Sequence, residues 1–175
     1  MRKVILLSVF LSTITLKAQA TKNVESNLFK VNVLAPGISY ELGVAKNMSL
    51  NFEAAIIPIA ESEFNEIDFE LFPVLSGELR YFTNFSRRIA RGKNITGNSG
   101  NYISFLNQAF ITAPILGNIE YDEPVAYLGG ILYGIQRAYN KNFYFGVSLG
   151  PAFFTTDNEP TGTLYLDARI GWIIN

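Results

Sequence analysis

Apolar and polar residues alternate one for one along most of this chain, and that period of two constrains the fold more than any other feature. Successive side chains of a β-strand point to opposite faces, whereas a helix repeats its apolar face every three to four residues. In the C-terminal segment Leu164, Leu166, Ala168, Ile170, Trp172 and Ile174 fall on one face, and Tyr165, Asp167, Arg169 and Gly171 on the other. The same scheme sets Phe143, Phe145, Val147, Leu149 and Phe153 against Tyr144, Gly146, Ser148 and Gly150. Leu50, Phe52, Ala54 and Ile56 oppose Ser49, Asn51 and Glu53. Phe69, Leu71, Leu75, Leu79 and Tyr81 oppose Glu70, Glu78 and Arg80. Each apolar face lasts about 9–11 residues, the length of a tilted strand that crosses a bilayer.

Turn chemistry divides the strands. Lys46-Asn47 and Asn140-Lys141-Asn142 read as tight hairpin connections, and residues 60–68, 116–124 and 155–162 as longer, acidic loops. Strands are predicted at 27–35, 38–45, 49–59, 69–82, 101–115, 125–139, 143–154 and 163–174. Pro36-Gly37 either separates the first two or kinks one long strand at a bulge. An up-and-down barrel with both termini on one side of a membrane needs an even number, which favours eight. The expected fold is all-β, an eight-stranded antiparallel up-and-down transmembrane β-barrel.

The N-terminus reads as an export address. Arg2 and Lys3 precede an apolar run from Val4 to Leu16, and Ala18-Gln19-Ala20 offers the small residues a signal peptidase reads. Residues 1–20 are therefore expected to be a signal peptide and residues 21–175 the barrel domain. The run is too short for a membrane-spanning helix, which needs about 20 apolar residues. The signal holds three of the 14 basic residues and none of the 15 acidic ones, so its removal leaves a net charge of −4. An exported acidic chain is a poor partner for nucleic acid.

Composition narrows the chemistry further. The chain has no cysteine and no histidine. Thiolate metal sites, a cysteine nucleophile, a lipid-anchoring cysteine and every Ser-His-Asp arrangement are excluded. No cofactor or metal site is expected.

The two faces differ in what they can meet. Only 17% of the residues are charged, and the polar faces are rich in Gly, Ser and Tyr, too sparse in charge for a water-facing coat. Aromatics cluster near strand ends, with Tyr81, Tyr139, Phe143 and Trp172 at one end and Phe69, Tyr127 and Phe153 at the other, as in the two girdles of a membrane barrel. Glu61, Glu63, Glu66, Asp68, Glu120, Asp122, Glu123, Asp157 and Glu159 gather in the three long loops. Lys46, Arg87, Arg88, Arg91, Lys93 and Lys141 occupy the connections at the other end. Long loops of outer-membrane barrels face the cell exterior and short turns the periplasm. Residues 83–99 are long for a periplasmic turn; Ser86 to Gly92 has the makings of a helical turn, and the basic run 87–93 reads as solvated.

The chain resembles a family of small, mostly uncharacterised outer-membrane β-barrel proteins. The resemblance rests on the signal peptide, on Phe29-Lys30-Val31-Asn32 followed by Gly37-Ile38-Ser39-Tyr40-Glu41, and on Arg87-Arg88-Ile89-Ala90-Arg91-Gly92-Lys93 leading to Ser99-Gly100-Asn101-Tyr102. It is similar in architecture to the eight-stranded OmpA/OmpX-like barrels. The resemblance implies fold and location in the outer membrane of a Gram-negative bacterium after Sec-type export, with lipid as neighbour. It implies no activity.

An eight-stranded barrel is filled by its own side chains. Parity points Lys30, Glu41, Glu53, Glu78, Arg80, Asp167 and Arg169 into the lumen, with Tyr102, Gln108, Gly134, Tyr144 and Ser148. Pairing the strands around Lys46-Asn47 with Leu42 opposite Phe52 sets Glu41 across from Glu53, two carboxylates that repel unless a cation or a proton intervenes. A structural cluster of salt bridges is expected here rather than a catalytic pair, because no nucleophile, base and orienting group are visible together. The expected function is that of a non-enzymatic envelope component or a binder through its exterior loops. An outer-membrane lipid-modifying enzyme and a secreted lipocalin-like ligand carrier are the alternatives.

Overall fold

Eight antiparallel strands follow one another up and down and close into a ring, each hydrogen-bonded to its sequence neighbours and the last to the first. The computed structural model describes residues 22–63, 66–116, 123–140, 142–156 and 159–174. The strands are β1 (Asn27–Asn32), β2 (Gly37–Ala45), β3 (Met48–Glu63), β4 (Glu66–Phe82), β5 (Gly100–Ile111), β6 (Val125–Tyr139), β7 (Phe143–Thr156) and β8 (Glu159–Ile173). A short helix α1 (Phe85–Ala90) and a 3-10 turn (Thr96–Asn98) lie between β4 and β5. The chain turns between β1 and β2 just ahead of Gly37, so Pro36-Gly37 does separate two strands. The expected signal peptide lies outside the described residues.

The ring closes through a short seam, with Lys30, Val31 and Asn32 of β1 opposite Ile173, Trp172 and Gly171 of β8. Gly171 is required there: a Cβ would lie 2.0 Å from the carbonyl oxygen of Val31. Tyr144 Oη donates to Asn32 Oδ1 just inside that seam.

Three expectations are corrected. Residues 60–68 and 155–162 are not loops: β3 pairs with β4 as far as Glu63 opposite Glu66, and β7 with β8 as far as Thr156 opposite Glu159. Acidic residues suggest the end of pairing, but a ladder is held by backbone groups, whichever side chains it carries. The strand expected to run to residue 115 stops at Ile111, since Pro114 offers no N–H to a ladder. Ile115 and Leu116 hook onto Leu71 of β4 instead, by backbone bonds of 2.8 and 3.0 Å. Most of the loop expected at 116–124 lies outside the described residues.

The third correction is one of register. Leu42 faces Leu50, not Phe52, and Glu41 faces Asn51, while Glu53 faces Ser39. The hairpin at Lys46-Asn47 is a two-residue turn with Ala45 opposite Met48, and the register shifts at Val44. A bulge places one extra residue on one strand and displaces every partner beyond it. The displacement is two positions relative to the expected pairing, one from the turn and one from the bulge, so the faces are kept and only the partners change.

Outward rows are apolar and exposed. Leu164 (69%) and Leu166 (65%) are among the most exposed large apolar side chains of the described residues, and Tyr81, Tyr139, Phe143 and Trp172 surround the end that holds the termini. Trp172 meets Phe143 edge to face at 6.1 Å, and Tyr139 stacks on Phe145 at 5.9 Å. Tyr127 and Phe153 are exposed toward the other end. Among the described residues no helix is long and apolar enough to cross a membrane.

Candidate functional site

The interior is layered. At the termini end Val24, Phe82, Phe85 and Tyr102 pack together with Ile95 against them, and Leu28, Ala138, Tyr144 and Ile173 form a second cluster. At the far end Leu106, Leu128, Leu132 and Ala152 pack with Phe110, Phe154 and Tyr165. Between these apolar layers lie the charged side chains that parity points inward.

The charges form two linked groups. Lys30 Nζ donates to Glu41 Oε2 at 2.6 Å, and Arg80 Nη1 reaches the same oxygen at 3.4 Å. Arg80 also forks onto Glu78, with Nη2 and Nε at 2.5 and 2.7 Å from Oε2. Further along, Arg169 Nε donates to Glu53 Oε1 at 2.8 Å and its Nη1 to Asp167 Oδ1. The seven charged residues are thus brought into ion pairs, and Glu41 and Glu53 are each neutralised by a different cation instead of facing one another. Burial of this kind is stable only when nearly every lone pair and proton is engaged. Lys30 is 1% exposed and Glu41 0%.

Polar residues outside the expected set complete the engagement. Ser49 Oγ donates to Glu41 Oε1 at 2.5 Å, and Asn98 Nδ2 donates to the same oxygen at 2.8 Å. Arg80 Nη1 donates to Gln136 Oε1 at 3.1 Å, while Gln136 Nε2 donates to the carbonyl of Gly97 at 2.8 Å. Lys30 and Arg80 also lie over the rings of Tyr144 and Tyr102, at 5.2 and 4.9 Å from their centroids. The Tyr102 ring in turn covers Gly134, where a Cβ would come within 2.2 Å of it. Glu70, also buried, extends the inward row of β4 toward the far end.

Within residues 83–99 the helical turn expected at Ser86 to Gly92 is present as α1, while the course of the rest is the part that sequence patterning did not place. The segment folds back across the termini end of the ring as a plug. Phe85 stacks on Phe82 at 4.4 Å, which roots α1 against the lumen. The turn Thr96–Asn98 then enters the lumen, with Gly97 and Asn98 both at positive φ, 60° and 54°. Gly97 is forced by space as well as by backbone: a Cβ would lie 2.6 Å from Ile173 and 2.7 Å from Ala138. Ser99 Oγ accepts from the backbone N–H of Ala138 at 2.8 Å, and Asn98 Oδ1 accepts from that of Glu25 at 2.8 Å. The available signal was the length of the connection together with a Gly-Asn pair, the residue types that tolerate left-handed backbone.

Two small cavities of about 10 Å3 each remain among the charges, and Asn51 lines both. That is room for about one water each and for nothing larger. Among the described residues no group of three or more acidic side chains is placed to hold a metal ion. What the arrangement does chemically is neutralise, crosslink the strands and hold the plug in place.

Asn98→Asp tests the plug's attachment. The new carboxylate could still accept from Glu25 but would face Glu41 Oε1, replacing a donor with a like charge. The variant is expected to lose about 1–3 kcal/mol, read as a lowered midpoint of urea unfolding. An unchanged midpoint would show that the turn is not held by Glu41.

An all-β ring of eight antiparallel up-and-down strands, closed by its own plug over a buried charge cluster, is the class that these observations define. Residues 4–162 match the family described as "Protein of unknown function (DUF3575)", and the chain belongs to that family. No curated protein matches the chain, and neither does any solved structure.

Proposed function

We propose that the ring is an outer-membrane β-barrel of the OmpA/OmpX-like architecture, made as an exported precursor and acting without enzymatic chemistry as an envelope component or as a binder through its exterior hairpins. One observation carries the reading: the molecule is inside out. The charged side chains of its inward rows are sealed in the lumen, while Leu164, Leu166, Ile131, Phe105 and Phe52 face outward at more than half exposure. A continuous apolar exterior fits hydrocarbon and not water. A soluble carrier would line its interior with that face and leave room for a ligand; here the lumen is occupied by ion pairs. A filled lumen also argues against a lipid-modifying active site inside the ring.

The termini, the hairpin at Lys46-Asn47 and the plug share one end of the ring, which this reading sets in the periplasm. The acidic hairpins face the cell exterior. The protein should fractionate with the outer membrane and migrate differently in gels with and without boiling, as detergent-resistant barrels do. A soluble fraction with a single mobility would end the proposal. Orientation is tested separately. In intact cells a thiol reagent should label Glu63→Cys and not Arg91→Cys, and the reverse pattern would invert the topology.

A further inference from the structure

The basic run 87–93 is more than a solvated turn. Arg87 and Arg88 on α1, with Arg91 and Lys93 just beyond it, share a concavity of about 190 Å3 with Arg137, Asn84 and Asn101. Arg137 is more than forty residues away in sequence, on the outward row of β6 between Ile135 and Tyr139. Two of the guanidinium groups are held in place. Arg137 donates to the carbonyls of Gly100 and Gln136, each at 2.7 Å, and to Asn101 Oδ1 at 2.6 Å. Arg88 donates to the carbonyl of Asn94 at 2.6 and 3.1 Å.

None of these anchors is a carboxylate. Among the described residues every ion pair lies in the lumen, and none involves the five cations of this concavity. Five like charges around one hollow repel one another, and an anion set among them relieves that repulsion. Arginine forks match the oxygens of a phosphate, which accept several hydrogen bonds at once. Position selects the source of the phosphate. Asn101 Nδ2 donates to the hydroxyl of Tyr133 at 2.6 Å, and Tyr133 and Tyr139 are exposed on the same outward row as Arg137. On the membrane reading above, on which this inference rests, that row reaches the head-group depth of the periplasmic leaflet.

We infer that this concavity binds the phosphate of an anionic glycerophospholipid of the periplasmic leaflet. The full mature chain, reconstituted in nanodiscs of phosphatidylglycerol and phosphatidylcholine in equal parts and released for native mass spectrometry, should retain phosphatidylglycerol several-fold over its share. Arg87→Gln combined with Arg91→Gln should bring that retention down to phosphatidylglycerol's share of the bilayer, since each cation near a charged surface contributes on the order of a fivefold factor and two such losses outweigh a several-fold preference. Neither side chain makes a hydrogen bond that holds the fold among the described residues, so heat-modifiable mobility should be kept. Lys46→Gln, a charge removed at the same end but outside the concavity, should leave retention unchanged. A chain that inserts but retains both lipids equally, or whose retention falls as much with Lys46→Gln, overturns the site alone. Displacement of the lipid by inorganic phosphate at comparable concentration overturns the lipid as its source. A chain that does not enter nanodiscs overturns the membrane reading and this inference with it.

Discussion

Glu41→Gln is expected to lower the stability of the folded ring by about 3–5 kcal/mol, the largest effect of any single change in the lumen. Four donors converge on this carboxylate: Lys30, Ser49, Asn98 and Arg80. A glutamine has the same shape but only one oxygen, so its NH2 group must point at a donor whichever way it turns. The Lys30 ammonium then keeps a contact of 3.5 Å to Gln136 and the face of Tyr144, with no anion bonded to it. Lys30→Met should cost less, because Glu41 would retain Arg80, Ser49 and Asn98. Changing both residues together should cost less than the sum of the two single changes, the mark of a coupled pair. Urea unfolding in detergent micelles measures all three. A Glu41→Gln midpoint equal to that of the unaltered protein would mean that the carboxylate is not the centre of the cluster.

Why Glu41 holds this position was only half legible in the sequence. Alternation gives the face on which a residue lies, because a strand has a period of two, and Lys30, Glu41, Arg80, Asp167 and Arg169 all lie inward as parity requires. Alternation does not give the partner. That depends on register, and the two-residue turn and the shift at Val44 together moved the pairs between β2 and β3 by two positions while keeping the faces. Glu41 was therefore expected across from Glu53, when its cations come from β1 and β4. The extent of the strands was hidden for a related reason. Polarity marks where a strand leaves an apolar belt, and the ladders between β3 and β4 and between β7 and β8 run on past that point. The plug was hidden because it has no period at all. Asn98 and Gly97 act through left-handed backbone and close packing, which composition registers only as a turn. The same limit separated Arg137 from the run at 87–93, since strand order, not sequence distance, sets them side by side.

Leu166 distinguishes a ring set in lipid from a ring set in water. It lies on the outward row of β8, opposite Leu149 of β7, beside inward-facing Asp167. Leu166→Arg should cost roughly 2–4 kcal/mol if this row meets hydrocarbon near the midplane, and should deplete the protein from the outer membrane. Loss of function at this change alone does not separate the two settings, because an apolar row that served as the core of a soluble assembly would suffer too. Leu166→Trp does separate them. In lipid the larger side chain displaces only acyl chains and should be tolerated. Against a packed protein surface it overfills the space and should cost about 1–3 kcal/mol. The introduced indole also reports its surroundings: in a Trp172→Phe background its fluorescence should be quenched by brominated acyl chains. Trp172 itself lies on the same outward row, near the termini end, so in the unaltered protein bromines placed close to the head groups should quench it better than bromines at the chain ends. A Leu166→Trp variant that folds normally and shows no quenching at any bromine depth would place this row against protein or water, and the apolar exterior would then need a different partner.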